Sequence, residues 1–203
     1  MTPMPPPTIF VVTDIETDGP DPGRHSMLSF GSVACDAGGQ TLSEFTVNLL
    51  PLPGAAQDPG TMDWWRTEPE AWRQAMLDRQ EPGTAMPGYT DWLAALPGTP
   101  VFVAHPLTFD GVWIDWYLQR YVGRRLFRRP RSPGLCFASG LDLPSMVMAV
   151  TGWDYDRCSR DGYPEHWLGG HHHSHRAIDD ARGYAHLLGL VLSGRMRAGI
   201  GAA

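Results

Sequence analysis

The chain has 203 residues, 42 % of them hydrophobic and 10 % aromatic, which is enough to bury one ordinary core and too apolar for a disordered chain. A formal net charge of −6 excludes a generally basic nucleic-acid coat, although a site built of carboxylates is itself acidic and bound divalent cations reverse the local sign. No run of about 18 apolar residues exists, so no membrane span is expected, and three widely spaced cysteines, Cys35, Cys136 and Cys158, fit a reducing, cytoplasmic setting better than a disulfide framework.

In chain order, residues 1–8 are Pro-rich and uncharged, unlike a signal peptide, and read as a lead-in. Residues 9–13 are a short β-branched strand, closed by the turn-forming DGPDPG of 18–23. Strands are predicted over 27–35 and 41–49, joined by the DAGGQ turn of 36–40, so the first three strands form an antiparallel meander. Residues 51–60 are a loop. Trp64, Trp65, Trp72 and Met76 recur at roughly helical spacing within 61–80, with Thr67, Pro69 and Glu70 marking a helix start. A helix over 89–96, a strand over 101–104 and an amphipathic helix over 110–122 follow. All 16 basic residues are Arg and six of them fall in 120–131, either a solvated loop or a phosphate-contacting rim. A short strand at 141–143, a helix at 144–150, a polar Gly-rich stretch at 153–170 without a clear assignment, and a helix at 177–192 complete the chain. Strands first, then alternating helices and strands, imply an α/β fold with a mixed central sheet.

Three acidic motifs carry the chemistry. In Val11-Val12-Thr13-Asp14-Ile15-Glu16-Thr17, positions i and i+2 of a strand share a face, so Asp14 and Glu16 converge on one point. Two carboxylates there need a positive partner, and hard oxygen donors favour magnesium or manganese. In Ala104-His105-Pro106-Leu107-Thr108-Phe109-Asp110, an acid stands where a strand passes into a helix, either as an N-cap or as a cleft residue. His175 precedes the last helix and Asp180 follows five positions on; Asp179 and Asp180 also suit the helix dipole. The tract of His171, His172, His173 and His175 lacks a Cys partner and the spacing of a zinc site.

In this order the motifs resemble the DEDDh superfamily of 3′→5′ exonucleases, which includes ribonuclease T, oligoribonuclease and the proofreading subunit of bacterial DNA polymerase. The resemblance runs from the first strand to the last helix. It implies a ribonuclease H-like fold, one exonuclease domain over 1–203, with 1–8 a loose lead-in and 194–203 a loose C-terminal tail. It also implies hydrolysis by a two-metal mechanism. Asp14, Glu16, Asp110 and Asp180 would hold two Mg²⁺ or Mn²⁺ ions, Asp14 bridging them, and His175 would act as general base. The sister branch carries Tyr at a different spacing. Many relatives have Asn where this chain has Pro106, so their substrate preference does not transfer.

Candidate substrate-binding residues surround these motifs: Thr17, Met27 after the 18–23 turn, Trp64 and Trp65, Phe109 beside Asp110, and Arg124 and Arg128 of the Arg-rich segment. Aromatic faces stack on unpaired bases. The Trp64-Trp65 pair resembles that of a small bacterial exoribonuclease branch of the superfamily, a resemblance that implies single-stranded RNA or short oligonucleotides, cut from the 3′ end, as substrate. Two alternatives stay open: a DNA-directed exonuclease of proofreading or repair type, and an idle nucleic-acid-binding module on the same fold. Four converging carboxylates have no chemical purpose in the last. Some relatives are homodimers in which basic residues of one subunit serve the other's site, a role open to 120–131. Asp142 reads as a supporting or structural acid.

Overall fold

β1 (Thr8–Thr17) alternates its side chains across the sheet, sending Ile9, Val11 and Ile15 into one core and Phe10 and Val12 into the other. The same alternation puts Asp14 and Glu16 on the Phe10 and Val12 face at the C-terminal end of the strand. The structure is a computed structural model that describes residues 5–128 and 133–196. β2 (Met27–Cys35) and β3 (Thr41–Asn48) complete the antiparallel meander. In the turn between them, the Asp36 carboxylate accepts the amides of Gly38 and Gln40 at 2.8 and 3.0 Å. β4 (Thr99–Ala104) runs parallel to β1 and the two-residue β5 (Leu141–Asp142) parallel to β4, giving the order β3-β2-β1-β4-β5. The mixed α/β sheet flanked by helices is the architecture expected from the sequence.

Helices α3 (Pro82–Ala94) and α4 (Leu107–Tyr121) cover one face, bringing Tyr89 and Trp113 into one core with Phe30 and Phe102. The other face carries α5 (Leu143–Thr151) and α6 (Ala177–Leu192) over Val12, Val33 and Val103. Several boundaries differ from expectation. The 61–80 stretch holds α2 (Pro69–Ala75), which opens at the marked start because Pro suits the first position of a helix, and the end of a separate short helix before it, α1 (Pro59–Trp65). α3 starts at Pro82, well before Tyr89, and α4 at Leu107 rather than Asp110. The 153–170 stretch is three single turns of 3₁₀ helix, Tyr155–Arg157, Arg160–Gly162 and Glu165–Leu168, too short for any periodicity to show. At the ends, Thr8 already belongs to β1 and Met196 is buried in the α6 core, so the packed chain runs further on both sides than expected. No helix among the described residues is long and apolar enough to cross a membrane.

Candidate active site

The site forms where α6 meets the sheet. Asp14 pairs with Gly31 across the β1–β2 ladder, and a Cβ at Gly31 would lie only 2.4 Å from the Ile178 Cα. Glycine there lets the first turn of α6 rest directly on the sheet, which brings Asp180 down onto the β1 acids. One carboxylate oxygen from each of Asp14, Glu16 and Asp180 lies within 4.8 Å of the other two. The ladder slips between Glu16 and Thr17, a local irregularity of the kind that ends regular pairing beside active sites.

Asp110 arrives from the neighbouring strand. Thr13 pairs in parallel with Ala104, so β4 ends beside Asp14 and α4 starts after His105 and Pro106. The N-cap of α4 is Pro106, and the Leu107 amide donates to Asp142 Oδ1 at 2.9 Å. Asp142 also accepts the Ser145 amide at 3.1 Å, so one carboxylate caps both α4 and α5. This frees Asp110 from the capping role its position suggested; its side chain is buried and points inward.

The electrostatics follow from this crowding. Burial, then the charges of Asp110, Glu16 and Asp180, raise Asp14 well above the usual carboxylate range, and burial, Asp180 and Asp110 do the same to Glu16. Burial pushes Asp110 and Asp180 up to about 7. Among the described residues, Asp110 Oδ2 and both Asp180 oxygens have no hydrogen-bond partner. Buried carboxylates left without donors are unfavourable. Oxygen donors packed this closely are what Mg²⁺ or Mn²⁺ takes, so the residues present fit such ions. Asp179, the neighbour that the motif spacing passes over, is fully engaged elsewhere. It accepts from Arg182 Nη1 at 2.8 Å and Ser174 Oγ at 3.2 Å, and Arg176 lies at 3.3 Å.

His175 takes a left-handed backbone with φ 51°, and its ring stands edge-on to Trp64 at 4.8 Å and 4.1 Å from the His173 ring. Burial lowers its pKa below the ordinary histidine value, so it is neutral near pH 7. The histidine beside the acids is His173, whose Nε2 is 3.6 Å from Asp180 Oδ2. The sequence reading did not single it out from the tract.

An open groove of about 520 Å³ is lined by Thr17 and Phe109, the chain neighbours of Glu16 and Asp110, and by Gly19, Pro20, Thr61 and Trp64 among others. Thr17, Trp64 and Phe109 come together along it, Trp64 and Phe109 being 37 % and 36 % exposed. Met27 and Trp65 do not join them. Met27 is fully buried, its amide donating to the Tyr117 hydroxyl at 2.8 Å, and Trp65 is 2 % exposed with Nε1 donating to the Thr17 carbonyl at 2.9 Å. Both are core residues, and Trp65 fastens the groove-lining Thr17. Arg124 follows the far end of α4, roughly 20 Å along the helix from Leu107. The chain then returns, Phe127 packing beside Gly111, so the exposed Arg128 lies nearer the start of α4. Arg129 and Arg131 lie outside the described residues.

A second wall went unforeseen. The His105 ring stacks on Tyr184 at 4.6 Å and 5°, and its Nε2 is 2.9 Å from the Tyr163 hydroxyl. That hydroxyl donates its proton to the Cys158 carbonyl at 2.8 Å, so His105 Nε2 must carry the hydrogen in their contact. Burial, then Asp14, Asp180 and Asp110, push the Tyr184 hydroxyl up. Tyr184 lies four residues after Asp180, one helical turn on, and that spacing was available in the sequence.

No family model matches the chain. Over 193 residues it is 31 % identical to the 3′-5′ DNA exonuclease Cap18 of Escherichia coli, covering 90 % of this chain and 91 % of that protein. Among solved structures, a zinc-bound form of Escherichia coli exonuclease I with single-stranded DNA superposes over 94 % of this chain with a TM-score of 0.67 at 16 % identity. Exonuclease I of Methylocaldum szegediense superposes over 95 % with a TM-score of 0.59 at 17 % identity. This chain spans only 42 % and 41 % of those two chains, and likeness at that identity speaks for the fold. The relation to Cap18 runs nearly from end to end of both proteins and speaks for kinship. The chain belongs to the DEDDh superfamily of 3′→5′ exonucleases.

Proposed function

We propose that this exonuclease shortens single-stranded DNA from its 3′ end, with Asp14, Glu16, Asp110, Asp180 and His175 as its catalytic set. The observation that carries the reading is the convergence of the carboxylates of Asp14, Glu16 and Asp180 beside an open groove with two exposed aromatic rings. Rings of this kind suit unpaired bases, whose stacking contributes about 1–3 kcal/mol each. A duplex would keep those base faces to itself. DNA is favoured over RNA because Cap18, which matches along nearly its whole length, is a DNA exonuclease.

Asp14, Glu16 and Asp180, whose oxygens converge, and the buried Asp110 would hold the divalent cations. Such cations, when bound, lower the pKa of a water and stabilise charge on the departing 3′ oxygen. The rest falls to the chain. His175, neutral near pH 7, takes the proton of the attacking water on an imidazole nitrogen. Trp64, in edge contact with that ring, and Phe109 across the groove hold the terminal nucleotide in line.

The test is digestion of matched 5′-labelled single-stranded DNA and RNA 12-mers with magnesium, manganese or EDTA, beside the Asp180→Ala protein. A metal-dependent ladder shortening from the 3′ end, faster on DNA and absent in the variant, is the expected result. Faster loss of RNA would reassign the substrate. Retained cleavage by Asp180→Ala would overturn the site.

A further inference from the structure

We propose that Arg160 is a phosphate-binding residue of this active site, its guanidinium gripping the non-bridging oxygens of the phosphodiester at the substrate's 3′ end. The inference rests on the exonuclease reading above. Arg160 opens the 3₁₀ turn Arg160–Gly162 within the segment that the sequence left unassigned. Two contacts tie that turn to the site. On one side Tyr163, the next residue, meets His105 at 2.9 Å, and His105 stacks on Tyr184, one helical turn beyond Asp180. On the other, Arg160 Nη2 donates to the His171 carbonyl at 3.1 Å, two residues before the His173 whose Nε2 is 3.6 Å from Asp180 Oδ2. The half-buried Arg160 thus bridges from its turn to the segment that carries His173. Its positive charge is felt at Asp180, Tyr184, His105, His173 and His175 alike.

The guanidinium also has no direct ion-pair partner among the described residues. Among the described residues, Arg160 makes its one hydrogen bond to a neutral carbonyl and has no carboxylate within 4.0 Å. Neighbouring arginines are occupied: Arg182 forks onto Glu44 at 2.9 and 2.6 Å, Arg176 pairs with Asp179, and Arg157 lies 3.6 Å over the Trp153 ring. A half-buried arginine with most of its five donors unspent is unusual, and the planar fork matches two phosphate oxygens. It also answers a difficulty of the site. Four acids repel a polyanion, and a fixed cation at their edge offsets that repulsion during approach.

The experiment measures binding apart from cleavage. Anisotropy of a 5′-fluorescent dT12 is followed in EDTA between 50 and 200 mM salt for wild type, Arg160→Gln and Arg160→Lys, with melting curves beside each. Arg160→Gln is expected to bind about ten-fold more weakly, and the slope of log K against log salt to shrink by about 0.7, the share of one phosphate on a single strand. Arg160→Lys, a point charge in place of a fork, keeps the slope and loses part of the affinity. Unchanged affinity and slope in Arg160→Gln would overturn the proposal. So would weaker binding with a lowered melting point and an unchanged slope, which would mean that Arg160 only fastens the His171 carbonyl. An inactive wild type with these binding shifts intact would overturn the exonuclease reading and leave Arg160 standing.

Discussion

Asp179 and Asp180 are neighbours of the same chemistry with opposite work. Asp179 is held by Arg182 and Ser174, whereas Asp180 is buried without a donor on either oxygen. Their conservative variants should therefore behave oppositely. Asp180→Asn removes an unpaired buried charge and should raise the melting point in EDTA at pH 8 by a few degrees, at about 2–4 °C per kcal/mol for a chain of this size. It should also lower cleavage by more than about 10²-fold. Asp179→Asn should lose about 1 kcal/mol of stability or less and keep most activity. Melting curves and initial rates on the same preparations decide, and a destabilised Asp180→Asn would contradict the unpaired carboxylate. Their residue type and shared place in the first turn of α6 do not separate the two; the five-position spacing from His175 in the motif singles out Asp180, and the rotation of that helix against the sheet is what turns it inward. His175 and His173 pose the same question. His175→Ala should reduce the turnover rate by about 10²–10⁴-fold with oligonucleotide binding retained, the loss expected of a general base. The larger loss in His173→Asn would shift that role to the ring now beside Asp180.

The helix rotation is set by glycine. Gly31 stands opposite Asp14 with the Ile178 backbone against it, and at the other end Gly189 of α6 crosses the β2–β3 turn, where a Cβ would meet the Gly38 carbonyl at 2.6 Å. Between these contacts α6 has little freedom to lift or slide, and the Arg182 fork to Glu44 of β3 closes the same seam. Gly31→Ala should push the first turn of α6 outward, destabilise the fold by about 1–3 kcal/mol as an overpacked contact does, and lower activity well beyond what that loss explains. A control, Gly54→Ala, meets nothing within 4 Å and should leave activity unchanged, its positive φ of 77° costing some stability alone. Equal activity in Gly31→Ala and wild type would mean that Asp180 is not positioned by this contact. The strands of this seam were legible because β1 and β2 are bounded by dense turn formers and rich in β-branched or apolar residues. The closeness of the helix was not. A glycine inside a strand reads as a weak point until the backbone packed over it is seen. The 153–170 segment stayed unread for another reason: single 3₁₀ turns have no repeat, and their placement is decided by Tyr163 on His105 and Trp167 in the core.

For the whole molecule, the four acids make folding and metal binding one equilibrium. A carboxylate whose pKa is raised on folding holds its proton more tightly in the native state, so the contribution has the opposite sign from an ordinary ion-paired acid. Below about pH 4 both states are protonated; between there and about 7, where Asp110 and Asp180 titrate when folded, the native state binds more protons than the unfolded chain. Stability in EDTA should accordingly fall as pH rises from 5 to 8, with Asp14 and Glu16, also raised, adding to the decline. Divalent cations bind the deprotonated form, so magnesium should restore at pH 8 what deprotonation removed. At about 100 times its Kd the gain is near 2.7 kcal/mol, or about 5–10 °C in melting point, and at pH 5 it should be much smaller because protons compete for the same oxygens. Calcium should stabilise in the same pH-dependent way, since the effect needs a hard cation and no turnover. In Asp180→Asn both the decline with pH and the magnesium gain should shrink together, because one group supplies part of each. A melting point that rises with pH in EDTA, or a magnesium gain that is equal at pH 5 and 8, would show that the acids do not share their protons and their cations as the structure arranges them.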